Sequence, residues 1–421
     1  MTSITVDSDG AMALVPFARK KLAQLKEMGL MSKTIMLDGY MIDVLAMDDV
    51  EKIRITSPHG TLISAGLGYT LITDYTGAIW AWGYNGKGNL GVGDVVARAT
   101  PTPVVGGPWK SIAAGTNSSV AVHADGTVWS WGDNSYRQLG FLDYTNRNTP
   151  TKVVSMGGGF SAVPQQTYEP YLTAMHSDGK IWDLGSSYSI PASGRGGSNV
   201  NAPWGATIGL SEYRALAINL DGILWALYGY NSSGELGLGY TGAMPHSTPV
   251  DSSIWTSISA GLYHVMAIKK DGTLWAWGNN AYGQLGVGDT VNRLSPTRVG
   301  TDTWAEVSAF ENRVVAIKKD GTLWAWGRNS PAFGYDSHSP INVAPGAWYT
   351  ASIGLSHAVA MRMDSTLWAW GDNIFGQLGT GDTISSNVPV KVILPTRVRA
   401  GPAPGSKHIY PQASRLRNIP L

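Results

Sequence analysis

Apolar and polar residues alternate along most of the chain, and a two-residue turn interrupts the alternation at regular intervals. Residues 255–277, WTSISAGLYHVMAIKKDGTLWAW, show the pattern once: an alternating run, the pair Asp271 and Gly272, and a second alternating run. Asp-Gly between two such runs is the strongest short-range signal for a β-hairpin. A short run with proline and valine follows, as in SPTRVG at 295–300. The pattern predicts small antiparallel sheets of about four strands each.

The tryptophans show that this pattern is repeated. The first tryptophan of each copy recurs at intervals of 43 to 53 residues, at Trp80, Trp129, Trp182, Trp225, Trp275, Trp324 and Trp368. In five copies a second tryptophan follows two residues later, which places both rings on the same face of a strand. One small sheet cannot bury both of its faces, but seven sheets arranged around an axis can. The sequence therefore predicts an all-β fold, a seven-bladed β-propeller.

One known family has repeats of this kind. The stretch SAGLYHVMAIKKDGTLWAWGNNAYGQLGVGD, residues 259–289, resembles the repeat of the regulator-of-chromosome-condensation (RCC1) family. The resemblance covers about residues 58–395 and implies a seven-bladed propeller, and we expect the chain to be a bacteriophage or bacterial member of the family. It is strong around Trp80, Trp129, Trp275 and Trp368. Around Trp182 and Trp324 other loops replace GQLGVGD, so these two blades are expected to differ at their rims.

The ends of the repeat region suggest how the ring closes. A proline-valine element precedes Trp109, Trp255, Trp304 and Trp348, but none precedes the first copy, whereas NVPVKVIL follows the last copy at 387–394. We expect this C-terminal segment to supply the missing strand of the first blade, which would remove an exposed sheet edge. VEKIRI at 50–55 is the competing candidate for the same place.

The flanking segments have a different pattern and define two further regions. In residues 14–28, apolar residues lie roughly on one side of a predicted helix and basic residues mostly on the other. TIMLDGYMID at 34–43 then predicts two strands around Asp38 and Gly39, so residues 1–57 are a small αββ (α+β) attachment module. Residues 396–421 carry five basic residues and no acidic one among prolines and glycines, which predicts an extended basic arm.

Composition excludes several classes of function. The chain has no cysteine, which excludes disulfides, thiol catalysis and cysteine-ligated zinc. Residues 58–395 contain 19 basic and 22 acidic residues, so no specific nucleic-acid binding is expected. The start lacks the pattern of a signal peptide, and no apolar run approaches the roughly 18 residues of a membrane span, so no membrane insertion is expected.

The apparent catalytic motifs have structural explanations. GKGNLG at 86–91 fits a dinucleotide motif, but that motif needs a βαβ unit, and here the segment aligns with AYGQLG of another copy. His264 and His357 occupy one repeat position, which is typical of a hydrogen-bonding core position because other copies have Tyr69, Tyr171, Arg214 or Arg313 there. The aspartates of the Asp-Gly pairs, such as Asp125 and Asp271, form turns. We therefore expect no catalytic residue, cofactor or metal, and no enzyme.

These observations favour a binding and structural protein. The propeller would recognise a partner, and the flanks would anchor it to other proteins of a larger assembly such as a phage virion, in a tail, fibre or head decoration. Such a protein would be assembled in the cytoplasm and located in the virion or at the bacterial surface, with a cell-surface protein or glycan as its external ligand. The alternative is a guanine-nucleotide exchange factor, the activity that the resemblance implies, or another intracellular interaction propeller.

Candidate contact residues come from the loops of the two irregular copies and from the flanks. The loops depart from the repeat where the scaffold does not require it, and the basic residues of the flanks suit anchoring. The binding candidates are Tyr188, Arg195, Asn199, Ser330, Phe333, Tyr335 and His338. The anchoring candidates are Arg19, Lys20, Arg397, Arg399, Arg415 and Arg417.

Overall fold

A computed structural model describes most of the repeat region and four strands that precede it. The described residues are 5–6, 34–37, 40–44, 53–56 and 62–395, with gaps in the last range at 75, 155–156, 164–172, 178–180, 184–189, 192–203, 212–213, 230, 243, 245, 329–335 and 365. The helix predicted within residues 14–28 and the arm from 396 lie outside these ranges. None of the described residues belongs to a helix with the length and apolarity needed to cross a bilayer.

The first four strands form one sheet. These strands are β1 (Thr5–Val6), β2 (Thr34–Leu37), β3 (Tyr40–Val44) and β4 (Ile53–Thr56), in the order β1-β4-β3-β2. The predicted pair around Asp38 and Gly39 is confirmed, because β2 and β3 are antiparallel partners on either side of it. β4 pairs with β3 and, in parallel, with β1. The segment VEKIRI therefore contributes to this sheet, and its assignment to the first blade was wrong.

From residue 63 the described strands form successive four-stranded antiparallel units, which confirms the all-β prediction. Unit 1 consists of β5 (Ile63–Ala65), β6 (Tyr69–Thr73), β7 (Ile79–Gly83) and β8 (Arg98–Pro103), and unit 2 of β9 (Trp109–Ala114), β10 (Ser118–His123), β11 (Val128–Gly132) and β12 (Arg147–Lys152). Unit 3 consists of β13 (Phe160–Ala162), β14 (Thr173–His176), β15 (Ile181–Asp183) and β16 (Ile190–Pro191).

Units 4 to 6 share strands and form a continuous sheet. Unit 4 contains β17 (Trp204–Ser211), β18 (Arg214–Asn219), β19 (Ile223–Gly229) and the first part of β20 (Thr248–Ala260). Unit 5 contains the rest of β20, β21 (His264–Lys269), β22 (Thr273–Gly278) and the first part of β23 (Arg293–Phe310). Unit 6 contains the rest of β23, β24 (Arg313–Lys318), β25 (Leu323–Gly327) and β26 (Ser337–Ala344). Unit 7 is β27 (Trp348–Ile353), β28 (His357–Arg362), β29 (Leu367–Gly371) and β30 (Ser386–Lys391).

The Asp-Gly pairs form the turns that the sequence predicted. In unit 5, Asp271 accepts hydrogen bonds from the backbone N–H of Thr273 at 2.9 Å and from its hydroxyl at 2.7 Å. Asp125 holds Thr127 in the same way. These bonds favour the ionised carboxylate and lower the pKa of both aspartates. Each aspartate thus fixes the hairpin that places the two tryptophans of its unit.

The two tryptophans of a pair pack in the same core, as their spacing predicted. Trp277 is fully buried and Trp275 is half-buried, and both belong to the hydrophobic cluster between units 4 and 5. The indole N–H of Trp277 donates to the carbonyl of Glu235 in unit 4 at 2.9 Å. Trp131 and Trp326 make the equivalent bond to the unit before their own. The second tryptophan therefore joins each such unit to its predecessor.

The core lies between units. Six clusters of buried apolar side chains are described, and they fill the junctions of units 1 and 2, 2 and 3, 4 and 5, 5 and 6, 6 and 7, and 7 and 1. The first strands of successive units contact one another, so the first strand is innermost and the fourth strand is outermost. A unit buries its faces only because two neighbours cover them.

The ring closes by side-chain packing and hydrogen bonds, without a shared strand. β30 pairs with β29 of its own unit, so the prediction that residues 387–394 complete the first blade was wrong. The proline-valine element is the fourth strand of the unit that it follows, and unit 1 already has one in β8. At the seam between units 7 and 1, Ser352 Oγ accepts the backbone N–H of Ala65 at 3.0 Å, and Trp82 donates to the carbonyl of Gln377 at 2.8 Å.

The outermost strands carry prolines. A proline has no N–H to donate, so such a strand is a poor template for a further strand. The prolines are Pro101 and Pro103 in β8, Pro150 in β12, Pro191 in β16, Pro249 in β20, Pro296 in β23, Pro340 in β26 and Pro389 in β30. The circumference of the ring is thereby protected from strand addition, which leaves the two ends of the units as contact surfaces.

Candidate binding surface

The two ends of the units differ in the loops that they carry. At one end, here called the loop end, lie the short loops between first and second strands and the long loops between third and fourth strands. A backbone hydrogen bond joins the two loops of a unit: Tyr84 donates to Gly68, Asn279 to Tyr263 and Asp372 to Ser356, at 2.7 to 2.8 Å. The opposite end, here called the turn end, carries the Asp-Gly turns and the connections to the next unit.

A buried asparagine organises each described long loop. In unit 5, Asn280 Nδ2 donates to the carbonyl of Asp289 at 2.9 Å, and its Oδ1 accepts the backbone N–H of Leu285 at the same distance. Asn85, Asn134, Asn231 and Asn373 make the equivalent bond to the leucine of their own loop. The loop is therefore closed on its own polar groups, and the side chains at its tip are held on a rigid backbone.

Ion pairs at the base of three long loops add to this rigidity. Asp289 pairs with Arg293 at 2.6 Å and also accepts the backbone N–H of Val291. The hydrogen bond from Arg293 is the main reason that the pKa of Asp289 lies below its usual value. Asp94 with Arg98 and Asp143 with Arg147 repeat the arrangement. These charges are paired within the loop and do not provide an open charged surface.

The loop end exposes aromatic side chains at one repeated position. Tyr136, Tyr282 and Phe375 each stand two residues before the Gln of their loop, and all three are exposed. At the seam, the rings of Phe375 and Tyr84 lie edge to face with centroids 5.0 Å apart. Arg328 stacks on Tyr282 at 4.8 Å. Aromatic residues and arginine on a rigid surface are the composition of protein-binding patches.

Two cations at the turn end pack on tryptophans of the core. Lys318 Nζ lies 3.5 Å from the ring centroid of Trp324 and 5.4 Å from that of Trp304. Arg362 lies between the rings of Trp348 and Trp368 in the same way. These cation–π contacts hold the first tryptophan of the pair in place. We regard the loop end as the candidate binding surface, because an exposed aromatic residue recurs there at one repeat position.

The repeat position of the two histidines is a core position. His357 is fully buried, and its Nε2 lies 2.7 Å from the hydroxyl of Thr70 in unit 1. Burial lowers the pKa of His357 to about 3, so it is neutral. Tyr69 occupies the same position and donates to the carbonyl of Ser118 in unit 2 at 2.7 Å. The prediction of a hydrogen-bonding core position is confirmed for these two residues.

No group of three or more His, Cys, Asp or Glu suited to a metal ion occurs among the described residues. GKGNLG is part of the long loop between β7 and β8, two antiparallel strands, and not of a βαβ unit. Its Gly88 and Gly91 have φ of +78° and +75°, which explains glycine at both positions.

The structure describes one of the predicted contact residues. His338 lies in β26 and is exposed, but its backbone carbonyl accepts the N–H of Gly288, in the long loop of unit 5. A Cβ on Gly283 would lie 2.5 Å from the Cα of His338, so the residue helps to join units 5 and 6. Tyr188, Arg195, Asn199, Ser330, Phe333 and Tyr335 lie outside the described residues. So do the anchoring candidates Arg19, Lys20, Arg397, Arg399, Arg415 and Arg417.

The exposed aromatic position was not predicted from the sequence. The signal was available in the alignment of the copies, where a tyrosine or phenylalanine recurs in SYRQLG, AYGQLG and IFGQLG. An aromatic residue in an apolar repeat is usually assigned to the core, so its exposure required the structure.

Models of the regulator of chromosome condensation (RCC1) repeat match residues 76–122, 125–163, 271–317 and 364–403, and a second model of the same repeat matches residues 109–138 and 255–284. The chain carries RCC1 repeats. The resemblance to this family is thereby confirmed, and the units are blades of an RCC1-like β-propeller. No curated protein matches the chain.

Several solved structures have the same fold. Human WBSCR16 is 20% identical with a TM-score of 0.65, and the match covers 76% of this chain and 94% of that one. Prp20p of Saccharomyces cerevisiae is 18% identical with a TM-score of 0.62, covering 87% of this chain and 91% of that one. Yeast RCC1 (Prp20), in a complex with Kap60, is 18% identical with a TM-score of 0.63, and the match covers 87% of this chain and 90% of that one. These similarities concern the fold.

Proposed function

We propose that this chain is a non-enzymatic binding protein, in which a seven-bladed RCC1 propeller recognises a protein partner through its loop end. The observation that carries the proposal is the set of exposed aromatic residues on loops that are closed by internal hydrogen bonds. Ordered loops lose little conformational entropy on binding, so exposed rings on them contribute to affinity. The proline-containing outer strands disfavour recognition by strand addition at the circumference.

Matched surface variants test this proposal. One variant replaces the loop-end residues Tyr136, Tyr282 and Phe375 by serine. The control replaces three residues that are exposed at the turn end, Val105, Leu220 and Met363, also by serine. Each variant is immobilised and incubated with an extract of the source cells, and the captured proteins are identified by mass spectrometry. We expect the loop-end variant to lose partners that the wild type and the control retain. Loss in the control alone would place binding at the turn end and overturn the proposal.

The proposal extends to the flanks. Residues 1–57 and the basic arm at 396–421 would anchor the propeller to other proteins of a larger assembly, such as a phage virion. The division of charge supports this, since the arm is basic whereas the repeat region is slightly acidic. A fragment of residues 58–395 is expected to bind the external partner but to fail to enter the assembly. Full incorporation of the fragment would contradict the anchoring role.

Nucleotide exchange on a small GTPase is the second candidate. Prp20p, which has the same fold, binds Gsp1p and histones, and yeast RCC1 binds Kap60. All of these partners are proteins, which is consistent with a protein-binding propeller. Release of a fluorescent guanine nucleotide from a small GTPase, measured with and without this chain, tests the candidate. Accelerated release would favour exchange over a purely structural role.

A further inference from the structure

The long loop of unit 2 differs from its counterparts at a position where the scaffold favours glycine. Gly88, Gly234, Gly283 and Gly376 occupy this position in four other units, with φ between +72° and +83°. In unit 2 the residue is Arg137, with φ of +63°. A left-handed backbone costs a non-glycine residue free energy, and such residues concentrate at functional sites. The scaffold itself gives no reason for an arginine there.

The side chain of Arg137 packs on one of three exposed side chains in its loop. Its guanidinium lies 4.5 Å from the ring centroid of Tyr144. Tyr136, Leu142 and Tyr144 are 68%, 79% and 62% exposed. Leu142 also replaces a residue that is glycine in units 1, 4, 5 and 7, at Gly93, Gly239, Gly288 and Gly381. We call Tyr136, Arg137, Leu142 and Tyr144 the unit-2 cluster. It combines two aromatic rings, one aliphatic side chain and one arginine on an ordered loop.

The neighbouring carboxylates already have partners. Asp143 pairs with Arg147 at 2.8 Å, and Asp133 accepts the hydroxyl of Ser135 at 2.6 Å and lies 4.0 Å from Lys87. Among the described residues no carboxylate lies within ion-pair distance of Arg137, and its side chain is partly exposed. A carboxylate supplied from outside would satisfy this cation.

We propose that the unit-2 cluster binds an acidic segment of a partner polypeptide, with a carboxylate paired to Arg137 and an apolar side chain packed between Leu142 and the two tyrosines. The inference rests on the proposed function and names the contact within the loop end. Leu142 favours a polypeptide over a glycan, because a glycan has no apolar side chain to cover it. Arg137 is a single cation beside apolar and aromatic side chains, which suits one carboxylate and its apolar neighbour better than the run of phosphates of a nucleic acid.

The test uses the full chain and labelled synthetic peptides. A nine-residue pool randomised over Glu, Leu, Phe and Gly is compared, by fluorescence anisotropy, with a pool in which Lys replaces Glu, and with labelled oligosaccharides. We expect the acidic pool to bind most tightly. Arg137→Gly should weaken this binding at least tenfold while leaving Tm unchanged or higher, because it restores the residue that the backbone prefers. Tyr144→Ala should weaken it also.

Leu220→Ala is the control, since Leu220 is exposed at the turn end and lies outside the proposed binding surface. It should change the affinity for the acidic pool less than twofold. If Arg137→Gly binds the acidic pool as the wild type does, or if the basic pool or an oligosaccharide binds better, the inference is wrong. The proposal that the loop end binds a protein partner is tested separately, by the capture assay with the loop-end and turn-end variants. That assay also changes residues outside the unit-2 cluster, so its result can differ from the result of the peptide experiment.

Discussion

Replacing Trp82 by alanine tests whether the seam between units 7 and 1 holds the ring closed. Trp82 is fully buried in the cluster of these two units, and its indole N–H donates to the carbonyl of Gln377. Truncating a buried tryptophan to alanine costs about 3–5 kcal/mol, and the carbonyl left without a donor adds about 1 kcal/mol. We therefore expect a loss of roughly 4–6 kcal/mol in the free energy of unfolding.

The matched variant is Trp277→Ala, which removes the same contact at the junction of units 4 and 5. There β20 passes from one unit to the next, so the two units stay joined by a strand. At the seam no strand crosses, and opening it allows the terminal units to unfold separately. Urea unfolding followed by far-ultraviolet circular dichroism should show a lower midpoint for both variants, but a broader transition only for Trp82→Ala. A loss below about 1 kcal/mol, or equal broadening in both, would refute this account of closure.

Three further predictions concern the seam and the last unit. Gly354→Ala should lower Tm strongly, because a Cβ there would lie 2.1 Å from the carbonyl oxygen of Gly66 in unit 1; Gly68→Ala, whose Cβ meets only ordinary contacts, is the control for thermal unfolding. Between pH 6.5 and about 3, His357 is neutral in the folded protein but binds a proton on unfolding. The free energy of unfolding should therefore decrease as the pH is lowered through this window, by about 1.4 kcal/mol per pH unit. His357→Gln should reduce the slope of the denaturation midpoint plotted against pH. Deletion from residue 387 should destabilise the propeller by removing β30, whereas deletion from 396 should not, and equal melting of both would contradict this.

Local chemistry made the units predictable from the sequence. Asp271 and Gly272 between two alternating runs specify a hairpin, because the aspartate accepts the N–H of the residue two positions on and the glycine adopts a positive φ of 88°. The spacing of Trp275 and Trp277 predicted that both rings lie on one face, because residues two positions apart in a strand share a face. These features depend on residues a few positions apart, which a sequence displays directly.

The assignment of strands to units was less predictable where a proline-valine run lies between two copies. Such a run has the same pattern whether it ends one unit or begins the next, and the choice depends on which neighbour it pairs with. Hydrogen bonding assigned β8 and β30 to the units that they follow. For the same reason, the sequence could not show that Ile53–Thr56 joins the strands before it.

Exposure was decided by the tertiary structure. The sequence contains Tyr136 and Tyr282 as aromatic residues in a repeat, and nothing local distinguishes them from the tryptophans that fill the core. The distinction arises because each unit covers its neighbour, which buries Trp277 and leaves the loop tips in solvent. The sequence by itself determined the repeated hairpins, the all-β class and the RCC1 repeat. Only the packing of one unit against the next decided how the ring closes and which side chains are available to a partner, because both depend on contacts between residues that are distant along the chain.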